Sequence, residues 1–241
     1  AKGLAWMKCK NNALDGGISR FFDTKLQSDI ISNYQLKDNS ICFMVGDNSK
    51  LALKVLGSVR TKIAEMLNLC DNTILKPVWI VDFPLFEWDE KEKRFESVNH
   101  PFTAPKDSDI DKLSSSPESV ISKGYDIVIN GYEVAGGSIR IHDNEMQKQI
   151  FEIMNMKEEE INEKFGFFID ALKFGTPPHG GIAFGFDRLV MLLCGVNNIR
   201  DIIAFPKTTS ASALMEEAPN TISETQLNDL NISINKNEKD I

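Results

Sequence analysis

The segment DIVINGYEVAGG, residues 126–137, constrains the fold more than any other stretch of the chain. Asn130-Gly131 lies between β-branched and aromatic residues. A two-residue type I′ turn needs positive φ at both central positions, and Asn-Gly accepts it, so the segment predicts a tight antiparallel hairpin. Pairing outward from the turn sets Ile129 against Tyr132, Val128 against Glu133 and Asp126 against Ala135. Side chains alternate between faces, so Asp126, Val128 and Glu133 share one side of the sheet. Asp126 and Glu133 are then diagonal neighbours, about 7–8 Å apart at Cα.

Two carboxylates on one face repel unless a cation, an arginine or water lies between them. Oxygen ligands that leave room for water suit magnesium holding a phosphate-bearing substrate. A solvated sheet face accounts for the same spacing. Arg140 lies an odd number of residues beyond Glu133, so a straight strand would point it to the opposite side. Ala135-Gly136-Gly137 intervenes, and strand glycines mark a bulge or a close backbone approach. A bulge at Gly136-Gly137 would return Arg140 to the carboxylate face. There its planar fork suits a carboxylate or phosphate, or a structural ion pair.

A second stretch, GIAFGFDRLVMLLCG at 181–195, reads as a strand over 181–186 and a helix capped by Asp187 and ended by Gly195. Arg188 then sits at a helix N-terminus, where a cation is unfavourable unless it faces an anion. A phosphate would satisfy both the arginine and the helix, and a nearby acidic side chain would satisfy the arginine alone. Gly181 and Gly185 leave the surface bare enough for a base or sugar to approach.

Around these stretches the chain divides near residue 75. Residues 1–75 alternate strands (GLAWMKCK, SICFMVGD) with helices (DTKLQSDIISNYQL, and NSKLALKVLGSVRTKIAEMLNL capped by Asn48 or Ser49), a small α+β module. In 76–241, VWIVDFPLFEW reads as one strand and 102–123 as a polar loop long enough to be a functional one. Helices are expected at about 143–154 and 157–173, the second ended by Gly175 and Pro177. The tail from about 221 is polar, with LNISI a candidate edge strand. Four dispersed cysteines without a CxxC, beside three histidines, argue against zinc and for reduced, cytosolic thiols. The net charge of −8 argues against a surface that coats nucleic acid indiscriminately, although a local basic patch would still admit one. No apolar run approaches the roughly 20 residues of a membrane span. The N-terminus lacks a signal-peptide core and begins at Ala1 rather than Met, as a processed chain or a fragment would.

Taken with NNIRDIIAFPKTTSASALMEEAP, GTPPHGG, NHPFTAPKD and YDIVINGYEVAGGSIRIH, the 181–195 stretch resembles motif 3 of class II aminoacyl-tRNA synthetases. Over residues 78 to about 220 the combination is similar to bacterial-type aspartyl-tRNA synthetases. Residues 1–75 resemble most of the GAD domain that this family inserts into its catalytic domain. The resemblance implies an α+β fold: a class II antiparallel sheet flanked by helices, plus the small GAD-like domain. It implies activation of L-aspartate by ATP with magnesium, transfer to tRNA, a homodimeric full-length enzyme and a cytoplasmic location without membrane association. By the same resemblance Glu133 is the ATP-site carboxylate and Asp126 its partner in magnesium binding. Arg140 grips the side-chain carboxylate of aspartate. Gly185, Phe186, Asp187 and Arg188 bind ATP, with Arg188 on the γ-phosphate. Asn99-His100 falls where the family has a His-His pair whose first position contacts aspartate; both are candidate aspartate-binding residues here, although Asn99 can hydrogen-bond but cannot become cationic. The family's anticodon-binding barrel, motif 1 and motif 2 have no counterpart here, so the chain reads as the last two-fifths or so of an enzyme. The rival readings are an asparagine-specific synthetase, an ammonia-dependent asparagine synthetase and a non-catalytic tRNA-binding module.

Overall fold

The hairpin turning at Asn130-Gly131 lies inside a four-stranded antiparallel sheet. The computed structural model of the protein describes residues 3–71 and 73–235. The chain forms two units, Ala1–Asp71 and Asn72–Ile241.

The first unit carries strands β1 (Ala5–Lys10), β2 (Ala13–Asp15) and β3 (Ile41–Met44), in the order β2-β1-β3 with antiparallel pairings. Helix α1 (Thr24–Asn33) is capped by Asp23, whose carboxylate accepts the Leu26 amide. Its Ile30 and Ile31 join Met7, Cys9 and Leu14 in a small core. Helix α2 (Ser49–Met66) is capped by Asn48, one of the two expected caps. None of its residues is fully buried.

In the second unit, β4 (Pro77–Val81), β7 (Gly124–Ile129), β8 (Tyr132–Ile139) and β9 (Gly180–Phe184) lie in the order β4-β7-β8-β9. Every pairing is antiparallel. The expected single strand 78–88 is two, because Asp82 has a φ of 63° and Pro84 follows. Positive φ at a non-glycine residue leaves the strand region, and proline has no N–H for a ladder. The second piece, β5 (Phe86–Asp89), pairs instead with β6 (Arg94–Ser97). The long segment after it is pinned through Asp109, a buried carboxylate that accepts Lys112 Nζ at 2.7 Å and the Ile121 amide at 3.0 Å.

Helices α3 (Asn144–Ile153) and α4 (Glu158–Leu172) follow the expected spans closely. Ile150 of α3 joins Leu85, Phe86, Leu113, Val120 and Ile141 in the main core. Phe151 and Ile169 bring α3 and α4 together, with Phe102 packed edge-on to Phe151 and Phe165. Helix α5 (Phe186–Leu193) follows β9. The LNISI strand is absent: Leu230–Ile234 are not in a strand, and helix α6 (Glu224–Asp229) precedes them with a Ser223/Gln226 capping box. That box was readable as S-x-x-Q. Among the described residues no helix is long and apolar enough to cross a membrane.

The hairpin has the expected turn, with φ of 50° at Asn130 and 85° at Gly131. Ile129 faces Tyr132 and Val128 faces Glu133, as the turn dictates. The bulge is not at Gly136-Gly137. The register shifts between Ile127 and Val128, which face Ala135 and Glu133, so Val134 is the extra residue. Asp126 therefore faces Gly136 rather than Ala135. The glycines serve close approach instead. A Cβ on Gly137 would lie 2.0 Å from the Gly181 carbonyl oxygen and 2.8 Å from the Tyr125 ring. Gly137→Ala is thus expected to force β9 off β8 and to cost about 1–3 kcal/mol or more. At Gly136 a Cβ would crowd the Asp126 carboxylate, at 2.7 Å, and touch Glu133 Oε1 at an ordinary 3.6 Å, with no backbone in the way, so Gly136→Ala should displace the Asp126 side chain and cost less. Thermal melts of the two variants, side by side, check the order.

Candidate functional site

The displaced bulge still produces the shared face. Val134 resets the alternation, so Gly136, Ser138 and Arg140 follow Asp126 onto the side that Glu133 already occupies. The two carboxylates converge over Gly136: a Cβ there would lie 2.7 Å from Asp126 Oδ1 and 3.6 Å from Glu133 Oε1. Burial, and then the Glu133 charge, raise the Asp126 carboxyl above its ordinary value. Among the described residues neither carboxylate is in an ion pair.

The raised value has a stability consequence. Ionised Asp126 is disfavoured in the fold, so its contribution is full below the ordinary aspartate pKa, about 3.9, and is lost as pH rises through the raised value. Asp126→Asn should therefore melt about 1–3 °C above the wild type at pH 7.5, the scale of a weak surface charge interaction. The difference should vanish near pH 4. Melting curves at the two pH values decide it.

Arg140 and the 99–103 segment close the other side of a recess of about 230 Å³ lined by Asn99, His100, Thr103, Asp126, Gly136 and Arg140. The Arg140 amide donates to the His179 carbonyl at 3.0 Å. Its Nη1 donates to His100 Nδ1 at 3.0 Å, and the Phe102 amide donates to the same nitrogen at 3.3 Å. An arginine can only donate, so His100 Nδ1 carries no proton and the neutral ring bears its hydrogen on Nε2. Burial, then the Arg140 charge, hold the His100 pKa below its ordinary value. Thr103 and Ser138, both buried, join hydroxyls at 3.2 Å behind His100. Among the described residues Arg140 is in no ion pair, and its one side-chain hydrogen bond is the one to His100. A larger recess of about 380 Å³ lies at the hairpin tip, between Asn130, Tyr132 and Leu192. Asp201 is its one charged lining residue, whereas the smaller recess brings Asp126, His100 and Arg140 together.

Helix α5 docks on the bulge. The Gly185 amide donates to the Val134 carbonyl at 2.8 Å, and Arg188 Nη1 donates to the neighbouring Glu133 carbonyl. Arg188 thus leaves the apolar run and reaches the backbone beside the Glu133 carboxylate. It has no acidic partner among the described residues. The expected cap is corrected: Gly185 is the N-cap, without a side-chain bond, and Asp187 lies in the first turn. Asp187 still places a negative charge where the helix dipole favours one. Phe186 is exposed next to Gly185.

The residues singled out in the sequence therefore form two neighbouring groups. Asn99, His100, Asp126 and Arg140 face the recess, while Glu133 links it to Gly185, Phe186, Asp187 and Arg188. Thr103, Ser138 and Gln147 support the first group and were not foreseen, since nothing local marks a polar residue as buried. Asp126 and Glu133 offer a hard-oxygen pair that suits a divalent ion completed by water and phosphate oxygens. No group of three or more His, Cys, Asp or Glu side chains that could hold a metal ion occurs among the described residues.

The model of the tRNA synthetases class II (D, K and N) matches residues 22–209. The chain belongs to that family. An aspartate–tRNA ligase of Staphylococcus carnosus is 48% identical over 97% of this chain and 40% of its own length. That of Staphylococcus aureus strain NCTC 8325 is 47% identical with the same coverage of 97% and 40%. The chain thus spans about two fifths of the length of the curated relatives it matches. Among solved structures, an aspartyl-tRNA synthetase from Entamoeba histolytica aligns at 20% identity and a TM-score of 0.43, over 76% of this chain and 30% of that one.

Proposed function

We propose that this chain carries the aspartate-recognition wall and the γ-phosphate arm of an aspartate–tRNA ligase. The observation that carries the reading is Arg140: a guanidinium without an acidic partner, facing a recess whose other wall holds Asp126. A dicarboxylic amino acid fits that polarity. Its side-chain carboxylate meets Arg140, and its ammonium lies toward the acidic wall. Asn99 and His100 Nε2–H supply further donors. The names of the relatives support the same substrate.

Activation then joins an α-carboxylate oxygen of aspartate to the α-phosphorus of ATP and expels pyrophosphate. In the second step a hydroxyl of the tRNA's terminal adenosine attacks the aspartyl carbonyl and AMP leaves. No protein nucleophile is required, so catalysis is positioning and charge neutralisation. Arg188 neutralises the γ-phosphate beside Glu133, while Gly185 and Phe186 form the floor for the nucleotide. Asp126 and Glu133 would hold magnesium, which when bound supplies charge neutralisation at the phosphates. In this reading residues 1–75 are a GAD-like insertion, 76–241 belong to the catalytic domain, and the full-length enzyme is a cytoplasmic homodimer that binds tRNA.

The test is pyrophosphate exchange by a full-length ligase carrying this chain, with aspartate and with asparagine. Exchange should require aspartate, and preference for asparagine would overturn the substrate. The 241-residue chain alone should show no exchange. Each missing charged contact to ATP can cost about 3–4 kcal/mol of transition-state stabilisation, and three fifths of the relatives' length lies outside the match. Robust exchange by the chain alone would show that the sites are misassigned.

A further inference from the structure

Gln147 lies on α3, outside the recess, and is wholly buried. Its Nε2 donates to the Pro101 carbonyl at 2.8 Å, while its Oε1 has no partner. A methionine would fill similar space without an orphaned oxygen, so the amide is not an economical packing choice. Its one bond goes to a particular peptide. The Pro101–Phe102 peptide offers its carbonyl to Gln147, and its N–H donates to His100 Nδ1 at 3.3 Å. Anchoring the carbonyl fixes the peptide plane and polarises the N–H at its other end. That N–H and Arg140 Nη1, at 3.0 Å, together keep His100 Nδ1 unprotonated. The His100 ring lies 5.7 Å from that of Phe102, which packs among Phe151, Phe165 and Phe168.

From this chain of contacts we infer that Gln147 is a positioning residue: through the Pro101–Phe102 peptide it sets the His100 tautomer and so the aim of Arg140 at the substrate carboxylate. The step from His100 to the substrate rests on the aspartate reading above, whereas the step from Gln147 to His100 does not.

Two readouts separate these steps. In the 241-residue chain, nitrogen NMR of His100 should show Nδ1 unprotonated, and Gln147→Met, by freeing the Pro101–Phe102 peptide, should let the ring turn away from both the Phe102 amide and Arg140 and so move toward a mixture of tautomers. In a full-length ligase carrying the chain, Gln147→Met should raise the KM for aspartate about tenfold, the low end of what loss of a hydrogen bond behind a metal-binding side chain costs. The KM for ATP should stay within about twofold. Gln147→Glu is the second variant. Its ionised carboxylate cannot donate to Pro101, but the protonated form can, and burial raises its pKa. Its aspartate KM should fall back toward the wild type between about pH 8 and 6.5, a range over which His100 stays largely neutral. An unchanged tautomer and aspartate KM in a folded Gln147→Met variant would overturn the inference. Should that variant not fold, a pH-independent aspartate KM in Gln147→Glu would do so. A wild-type ligase that ignores aspartate would instead overturn the functional reading, and the NMR comparison would still decide the role of Gln147.

Discussion

Arg188→Ala, in a full-length ligase carrying this chain, is expected to cut ATP-dependent pyrophosphate exchange by about 10²–10³-fold, the cost of losing one preorganised charge-stabilising donor. The fold should barely register it. Arg188 is exposed, and among the described residues its side chain makes one hydrogen bond, to the Glu133 carbonyl. Such a bond contributes about 0.5–1.5 kcal/mol, and removing a cation from the first turn of α5 relieves an unfavourable dipole interaction. The melting temperature should therefore shift by no more than a few degrees. Arg188→Lys should fall between, because lysine keeps the charge and loses the planar fork. Exchange at varied ATP, beside a melt of each variant, is the measurement. Intact exchange in Arg188→Ala, or loss of the fold with the activity, would make Arg188 a packing residue.

The placement of Arg188 at a helix start was legible because each of its parts is local, while the γ-phosphate as its anion comes from the family resemblance alone. Gly185, the following helix and Arg188 lie within one turn, and the dipole argument needs no partner. The partner itself, the Glu133 carbonyl, was not legible, since only the antiparallel docking of β9 on β8 brings it there. The bulge behaves likewise. Asn130-Gly131 fixes the register for two residue pairs, and the sequence carries it faithfully to Val128–Glu133. Beyond that pair the extra residue is Val134, an ordinary strand former with no signature. Gly136-Gly137 drew attention because glycine in a strand has two causes, and backbone approach by Gly181 was the operative one. The break at Asp82 was readable from Pro84, and α6 from its capping box. By contrast Thr103, Ser138 and Gln147 look like surface residues in one dimension. Burial is a property of the packed unit, and only the packing of α3 and the 100–103 segment against the sheet removes them from water.

The same packing makes Arg140 the most consequential side chain of the recess. Its guanidinium uses Nη1 on His100 at 3.0 Å, leaving its other donors for a planar anion. A carboxylate seated there would be partly desolvated between Arg140 and the recess walls. Truncating one partner of such a pair costs about 2–5 kcal/mol. Arg140→Ala is therefore expected to raise the KM for aspartate by about 10²-fold or more, while leaving the KM for ATP within a few-fold. Discrimination against asparagine should collapse with it, because an amide lacks the charge that the guanidinium selects. Arg140→Lys should keep some discrimination and bind aspartate less well than the wild type, since a point charge replaces a two-toothed donor. Both variants should fold: Arg140 pairs through its backbone with His179 and Thr103, contacts that any L-residue can make. The measurement is exchange kinetics with aspartate and asparagine at saturating ATP, then with ATP varied at saturating aspartate. If Arg140→Ala damages ATP use as much as aspartate use, the arginine serves the phosphates, and the recess beside Asp126 is not where aspartate is read.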